Sequence, residues 1–306
     1  MKKIYVMMST FNGERYVGDQ IESVLQQLDV EVILSIRDDG SIDGTKEILE
    51  KYELDHSNVR VVYGENVGYI NSFLLLLKNA EKSDYYAFCD QDDIWKPQKL
   101  KRAVSLLEDN KGSIKETTPL LYASALECTD ENLVVQKIQA FRNLKLGFYS
   151  EFVRHRFAGC TYVFNHDLMA IASECVIEDL VCPHDTLLAL LTWSCGGKII
   201  FDNNSYILFR RHGNNASVDG MGLKRRIKKE LYFLGDKKNY KYKVAEMLLR
   251  DYSHFLMPEY EAFLLFFISY KKRIKNRIKI LFDKRLDCGL KRANLIFKLG
   301  VLFKSI

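Results

Sequence analysis

Apolar residues in the first hundred positions fall into two alternating rhythms. Lys3–Met8 is a short apolar run that ends in Ser9-Thr10. Glu31–Ile36 alternates Val32, Leu34 and Ile36, and Val59–Tyr63 and Tyr85–Cys89 are further short runs. Each reads as a strand. Between them, Glu14–Gln27 has helical spacing, with Ile21, Val24, Leu25 and Leu28 on one side. Asp43–Tyr52 reads as a helix with Asp43 at its N-cap, and Val67–Ala80 as a leucine-rich third helix. Pro97 opens a fourth helix that runs through Leu107. Strand and helix in alternation need crossover connections and predict a mostly parallel sheet. In such sheets ligands sit beyond the carboxyl ends of the strands. The polar clusters Thr10-Phe11-Asn12-Gly13-Glu14, Asp38-Asp39-Gly40-Ser41 and Asp90-Gln91-Asp92-Asp93 fall at those ends. Their convergence on one crevice is the main reason to expect a site.

Charge changes this picture at the far end of the chain. The 306 residues carry a net +5, but Lys224–Ile306 holds 22 Lys/Arg against 8 Asp/Glu, leaving 23 basic and 32 acidic residues before it. An acidic body suits cations, and a basic tail suits anionic lipid or nucleic acid. The tail mixes its cations with Ala262–Ile268, Ile278, Ile280, Leu281, Phe282 and the apolar residues of 295–303. Such mixing suits helices lying in a membrane interface, or helices that cover the rest of the protein and expose a basic face. No nucleic-acid recognition module accompanies it. The longest stretch without Asp, Glu, Lys or Arg is Thr186–Gly197, 12 residues, short of the ~20 a spanning helix needs. Seven cysteines without CxxC spacing argue against a disulfide framework or a structural zinc. The N-terminal apolar run is too short for a signal peptide. The expected location is cytoplasmic, with reduced thiols.

Asp90, Asp92 and Asp93 lie within four residues, and their repulsion calls for a cation or solvent. Carboxylates at a strand end are hard ligands for Mg²⁺ or Mn²⁺; a solvated acidic turn is the plain alternative. Asp38 and Asp39 could accept from a ribose or base, and Thr10, Asn12 and Glu14 from a pyrimidine; ordinary turn and cap chemistry would serve as well. Neither a GxxxxGK[ST] loop nor a GxGxxG after the first strand is present, which disfavours P-loop ATP and Rossmann NAD binding.

Four segments together, Met8–Tyr16, Arg37–Ser41, Glu65-Asn66-Val67-Gly68 and Cys89-Asp90-Gln91-Asp92-Asp93-Ile94-Trp95, resemble a family 2 glycosyltransferase in order and spacing, over roughly residues 1–220. The Asp-Gln-Asp-Asp-Ile-Trp form is similar to bacterial rhamnosyltransferases of cell-wall and capsule polysaccharide synthesis. Pro183-His184-Asp185 and Phe209-Arg210-Arg211-His212-Gly213-Asn214-Asn215 agree with that group. Thr186 stands where relatives often carry an aromatic residue, and Arg211 where a Gln is common.

The resemblance implies an α/β GT-A fold, Rossmann-like, with a mostly parallel sheet flanked by helices over residues 1–220; the charge and apolar pattern adds a basic amphipathic helical extension over 221–306. It implies inverting transfer of a sugar, rhamnose from dTDP-rhamnose first and UDP-sugars next. The acceptor would be a hydroxyl of a saccharide or polyprenyl-diphosphate-linked saccharide. Thr10, Asn12, Glu14, Asp38, Asp39, Asn66, Gly68, Asp90, Gln91, Arg210 and His212 would hold the nucleotide sugar, and Asp90 and Asp92 the metal. Asp185 would be the general base with His184 beside it; Asp185 also has the position of a helix cap. Trp95, Arg156, Gly159 and Cys160 would form the acceptor side. An anionic membrane surface and a homodimer are compatible with this reading, placing the protein peripherally on the inner face of the membrane. The rivals are a sugar-nucleotide nucleotidyltransferase, which would need a Gly/Arg-rich loop after the first strand, and a membrane-docked partner with a decayed site.

Overall fold

The computed structural model describes residues 1–111, 117–139, 141, 143–213 and 239–306. They form two compact units. The first comprises Met1–Phe141, Phe157–Ile177 and Gly197–His212, and the second Arg142–Arg156, Glu178–Gly196 and Gly213–Ile306. The expected boundary between 220 and 221, and Asn214 and Asn215, lie outside the described residues.

The first unit holds the sheet. Its strands are β1 (Lys2–Thr10), β2 (Val30–Asp38), β3 (Val59–Tyr63), β4 (Tyr85–Cys89), β5 (Ile94–Trp95), β6 (Leu120–Thr129), β7 (Val135–Gln139), β8 (Val163–Asn165) and β9 (Lys198–Arg210). Their order is β3-β2-β1-β4-β8-β6-β9-β5, with β7 on β6. The half made of β3, β2, β1 and β4 is parallel throughout, as the alternation predicts. β8 then runs antiparallel to both β4 and β6. The central strands are buried on both faces: Ile4 to Met8 and Tyr85 to Cys89 are all inaccessible or nearly so, which explains their unbroken apolar runs.

Helices α1 (Val17–Leu25), α2 (Thr45–Asp55), α3 (Tyr69–Lys78), α4 (Lys99–Lys111) and α6 (His166–Ser173) belong to the same unit. Val17, Ile21 and Val24 recur at helical spacing and are the buried face of α1. This helix starts later than its spacing predicts, because the Gly13 carbonyl first accepts the Tyr16 and Val17 N–H groups in a turn. It also ends before Leu28, which is exposed rather than on the apolar side. Asp43 precedes the N-cap residue Gly44 and accepts the Thr45 N–H (3.1 Å).

The two-residue β5 positions the site. It follows the acidic turn directly and pairs antiparallel with β9, Ile94 opposite Leu208 and Trp95 opposite Ile207. The end of β9 is thereby brought beside Asp92 and Asp93.

The second unit is helical: α5 (Phe148–Val153), α7 (His184–Ser194), α8 (Tyr240–Asp251), α9 (Pro258–Ile268), α10 (Ile274–Phe282) and α11 (Lys291–Leu302). Aromatic rings fill its core, with Phe152 edge-on to Phe267 (4.9 Å between centroids) and Phe148 against Tyr260 (4.6 Å). The Ala262–Ile268 run, expected at a membrane interface, instead contributes buried Phe263, Leu264 and Phe267 to this core. No helix among the described residues is long and apolar enough to cross a membrane.

Candidate active site

Four loops leave the carboxyl ends of β1 to β4, and hydrogen bonds lace them into one rim. Asn12, at φ 49°, donates its N–H to Ser41 Oγ (2.9 Å) and accepts the Ile42 N–H at Oδ1 (2.9 Å). Glu14 Oε2 accepts the Gly44 N–H (2.7 Å). These contacts join the β1 and β2 loops. Gln91 joins the β4 loop to the first: its Oε1 accepts the Phe11 N–H (2.8 Å) and its Nε2 donates to the Phe11 carbonyl (3.1 Å). The expected convergence of strand ends is therefore present in the first unit.

Two buried carboxylates organise the rim. Asp38 accepts the Ser41 N–H (2.9 Å) and the Thr10 hydroxyl (3.2 Å). Asp39 pairs with the Arg37 guanidinium and accepts the N–H groups of Val67 and Gly68, each at 2.9 Å. Gly68 takes φ 81°, in the left-handed region that favours glycine, and Asn66 Oδ1 also accepts its N–H (3.1 Å). A desolvated carboxylate holds its place only when its lone pairs are filled. Asp39 thus fastens the β3 loop to the β2 loop, and Arg37 adds the Glu65 carbonyl (3.0 Å). Arg37 was absent from the residues expected by sequence.

The acidic turn after β4 has an inner and an outer part. Ligand atoms of Asp90, Asp93 and Cys160 lie within 4.8 Å of one another. Asp93 is fully buried; its Oδ1 accepts the Arg210 N–H (3.1 Å), while Oδ2 has no hydrogen-bond partner. Burial pushes its carboxyl well above the usual range, and the charges of Asp92 and Asp90 add to that. Burial likewise raises the Cys160 thiol. Beneath them lies Lys99, buried, with Nζ 3.5 Å from the centroid of the Trp95 ring. Burial lowers its ammonium to about 8, opposed by Cys89, Cys160 and Asp93. Asp92 faces outward from this group and meets His212 Nε2 at 2.8 Å through Oδ2. The structure therefore groups Asp90 with Asp93 and Cys160, where the DxD spacing pairs Asp90 with Asp92.

Several expected binding residues have other attachments. Arg210 is 4% exposed and donates to the carbonyls of Asp92 (3.0 Å) and Glu131 (2.8 Å), so it braces the acidic turn rather than offering its guanidinium to a phosphate. The Gln91 amide is committed to Phe11. Trp95 is 2% exposed in the hydrophobic core, so it presents no open face on which a sugar could stack. Cys160 is equally buried, in the turn that starts at Gly159, and belongs to the acidic group rather than to an acceptor wall. Residues 154–161 form a loop and this short turn.

The expected base lies in the second unit, as does Arg156, which donates to the carbonyls of Asn143 (3.4 Å) and Cys288 (3.3 Å). Asp185 is in the first turn of α7 and accepts the Thr186 N–H (2.6 Å). His155, just after α5, is held between Glu151 Oε1 and Asp185 Oδ2, the latter 3.3 Å from Nε2. Burial alone would lower His155, but Glu151 and Asp185 outweigh it and raise it to about 10. Burial would likewise raise Asp185, but the attraction and hydrogen bond of His155 hold it well below the usual carboxylate range. His184 beside it is buried, which lowers its imidazole to about 4, against the pull of Asp185. At neutral pH the unit therefore presents an ionised Asp185, an imidazolium His155 and a neutral His184. His155 was missed as the partner of Asp185; the Glu151–His155 spacing of four residues was the available signal.

Comparison with known proteins agrees with this architecture. Residues 5–117 match the model of glycosyl transferase family 2. The chain is 27% identical over 232 residues to the dTDP-rhamnosyl transferase RfbG of Shigella flexneri, covering 72% of this chain and 77% of that protein. It is 35% identical over 105 residues to the putative teichuronic acid biosynthesis glycosyltransferase TuaG of Bacillus subtilis, covering 34% of this chain and 41% of TuaG. In structure it is similar to S. aureus TarS residues 1–349, with a TM-score of 0.58 at 17% identity over 99% of this chain and 80% of that one. That likeness is one of fold. Residues 5–117 thus match the glycosyl transferase family 2 model, and the chain as a whole has a GT-A fold.

Proposed function

We propose that the enzyme transfers a deoxyhexose, foremost rhamnose from dTDP-rhamnose, to a hydroxyl of a saccharide or polyprenyl-diphosphate-linked saccharide, with inversion at the anomeric carbon. The observation that carries this reading is the acidic turn after β4, tied through Gln91 to the β1 loop and backed by Lys99. The similarity to a protein named as a dTDP-rhamnosyl transferase supports the sugar. The TarS complexes with UDP and UDP-GlcNAc keep uridine donors in the comparison.

Asp90 and Asp93 would hold Mg²⁺ or Mn²⁺, with Asp92 beside them. Two carboxylates, one with an unpartnered buried oxygen, suit a hard divalent ion, whose charge would also keep the buried Asp93 ionised; the Cys160 thiol is a soft ligand and suits such an ion poorly. Such an ion, when bound, neutralises diphosphate charge and stabilises the leaving group. The chain's own groups do the rest. Asn12, Glu14 and Asn66 line the rim that would take the nucleoside, with the buried Thr10, Asp38 and Asp39, and Gly68, fixing its shape. His212, oriented by Asp92, would stand on the diphosphate side of the acidic turn. An acceptor hydroxyl is a weak nucleophile and needs a base. Asp185 fills that role, kept ionised and oriented by His155.

The test is a panel of dTDP- and UDP-sugars incubated with the enzyme and Mn²⁺, with released nucleoside diphosphate as the readout. Release from dTDP-rhamnose well above the UDP-sugars is expected. Turnover of a UDP-hexose alone would overturn the donor assignment.

A further inference from the structure

The helix α10 carries its apolar residues on the wrong side for a soluble protein. Ile274, Ile278 and Phe282 are 59%, 49% and 78% exposed, and Leu281 is half-buried. At about 100° per residue these four fall within an arc of about 100°. Ile280, the helix's one buried residue, lies on the opposite side. The stripe is therefore not the face that anchors α10 to its own unit. Cations border it on both edges, Lys275 and Lys279 along one and Arg273 and Arg277 along the other.

The pattern is repeated. Leu295, Leu299, Leu302 and Phe303 follow the same spacing 21 residues later in and just after α11, with Val301 as the buried counterpart of Ile280. Leu295 is 57% and Phe303 71% exposed. From Lys271 to Lys304 there are twelve Lys/Arg and two Asp/Glu. Both acids are already paired, Asp283 with Arg285 (2.7 Å) and Asp287 with Lys145. The surface is strongly positive around apolar ridges.

We infer that α10 and α11 dock on an anionic lipid bilayer, the ridges Ile274–Ile278–Phe282 and Leu295–Leu302–Phe303 entering the acyl boundary while the flanking lysines and arginines meet headgroup phosphates. A helix with an apolar stripe framed by cations gains from both hydrophobic burial and electrostatic attraction at such a surface. A nucleic acid would use the cations and leave the isoleucines and phenylalanines in water. A second copy of the chain would bring like charge against like charge. This inference stands independently of the donor sugar.

The test is co-sedimentation of the full chain with vesicles of phosphatidylcholine alone and of phosphatidylcholine mixed with phosphatidylglycerol, at low and high salt. Binding to the mixed vesicles only, weakened by salt, is expected. Ile278→Glu with Phe282→Glu, both at exposed positions, should lower partitioning by about tenfold or more with an unchanged circular-dichroism melt. Phe282→Trp should blue-shift its emission when mixed vesicles are added. Equal sedimentation of the double variant and the wild type, or no shift of the tryptophan, would overturn the inference. So would a dimer in light scattering that the double variant abolishes while vesicles bind neither protein.

Discussion

Replacing His155 with Gln removes one positive charge and keeps a polar side chain of similar reach. In the folded protein that charge lies 3.3 Å from the Asp185 carboxylate. At an effective dielectric constant of ~20 such a pair attracts by about 5 kcal/mol. Asp185 retains 22% of its side-chain exposure, so solvent screens part of this. Loss of one partner from a mostly buried pair typically costs about 3–5 kcal/mol, and the lower figure corresponds to a carboxylate titrating about two pH units higher. The assay is kcat/KM for sugar transfer across pH. Its acid limb reports the essential base in the free enzyme. His155→Gln should move that limb upward by about two pH units while the rate at neutral pH changes little, because Asp185 starts well below the usual range. A merely structural role would lower the melting temperature and the rate alike and leave the limb in place. An unmoved acid limb in a folded His155→Gln enzyme would refute the reasoning. The pair's contribution to stability has a defined window. The His155 part is complete below 6.5 and fades as pH rises through about 10; the Asp185 part is complete above 3.8 and fades as pH falls through its lowered value.

Two further expectations concern stability. His184 is buried and lowered from 6.5 to about 4, so the unfolded chain takes up a proton that the folded one refuses in that interval. Stability should fall by up to about 3 kcal/mol between those pH values, and denaturant midpoints of His184→Asn should show a shallower acid slope. Gly68→Ala meets nothing within 4 Å of its new Cβ yet must hold φ 81°; the cost should be about 1 kcal/mol of backbone strain, seen as a small drop in melting temperature without loss of the Asp39 network.

The alternating half of the sheet was legible because each strand and helix there carries its own periodicity. β1 to β4 and the three intervening helices lie close to where the apolar spacing predicts, with helix ends shifted by local turns such as the one at Gly13. The other half, in which parallel and antiparallel pairings mix, was less accessible: β5 is two residues long, and its pairing with β9 joins residues more than a hundred positions apart. The polar clusters at strand ends could be read, but not the division of labour within them. Nothing local distinguishes Asp93, buried with Lys99 beneath it, from Asp92, turned toward His212. Likewise, Arg210 and Gln91 look like ligand-binding groups in a motif and act as braces once their carbonyl and N–H partners are in place. The Ala262–Ile268 run illustrates the same limit, since apolar residues that fill a helical core and those that meet a lipid surface have one composition. The exposure of Ile274, Ile278 and Phe282 separates the two.

The central claim is that the carboxylates after β4 hold a divalent ion that meets the donor's diphosphate. Calorimetric titration of dTDP into the wild-type protein and into Asp90→Asn, with Mn²⁺ and with a chelator, tests it most directly. Tight binding by the wild type that disappears with the chelator, and equally in Asp90→Asn with Mn²⁺ present, is the predicted result. Binding of the same strength in all four titrations would contradict it.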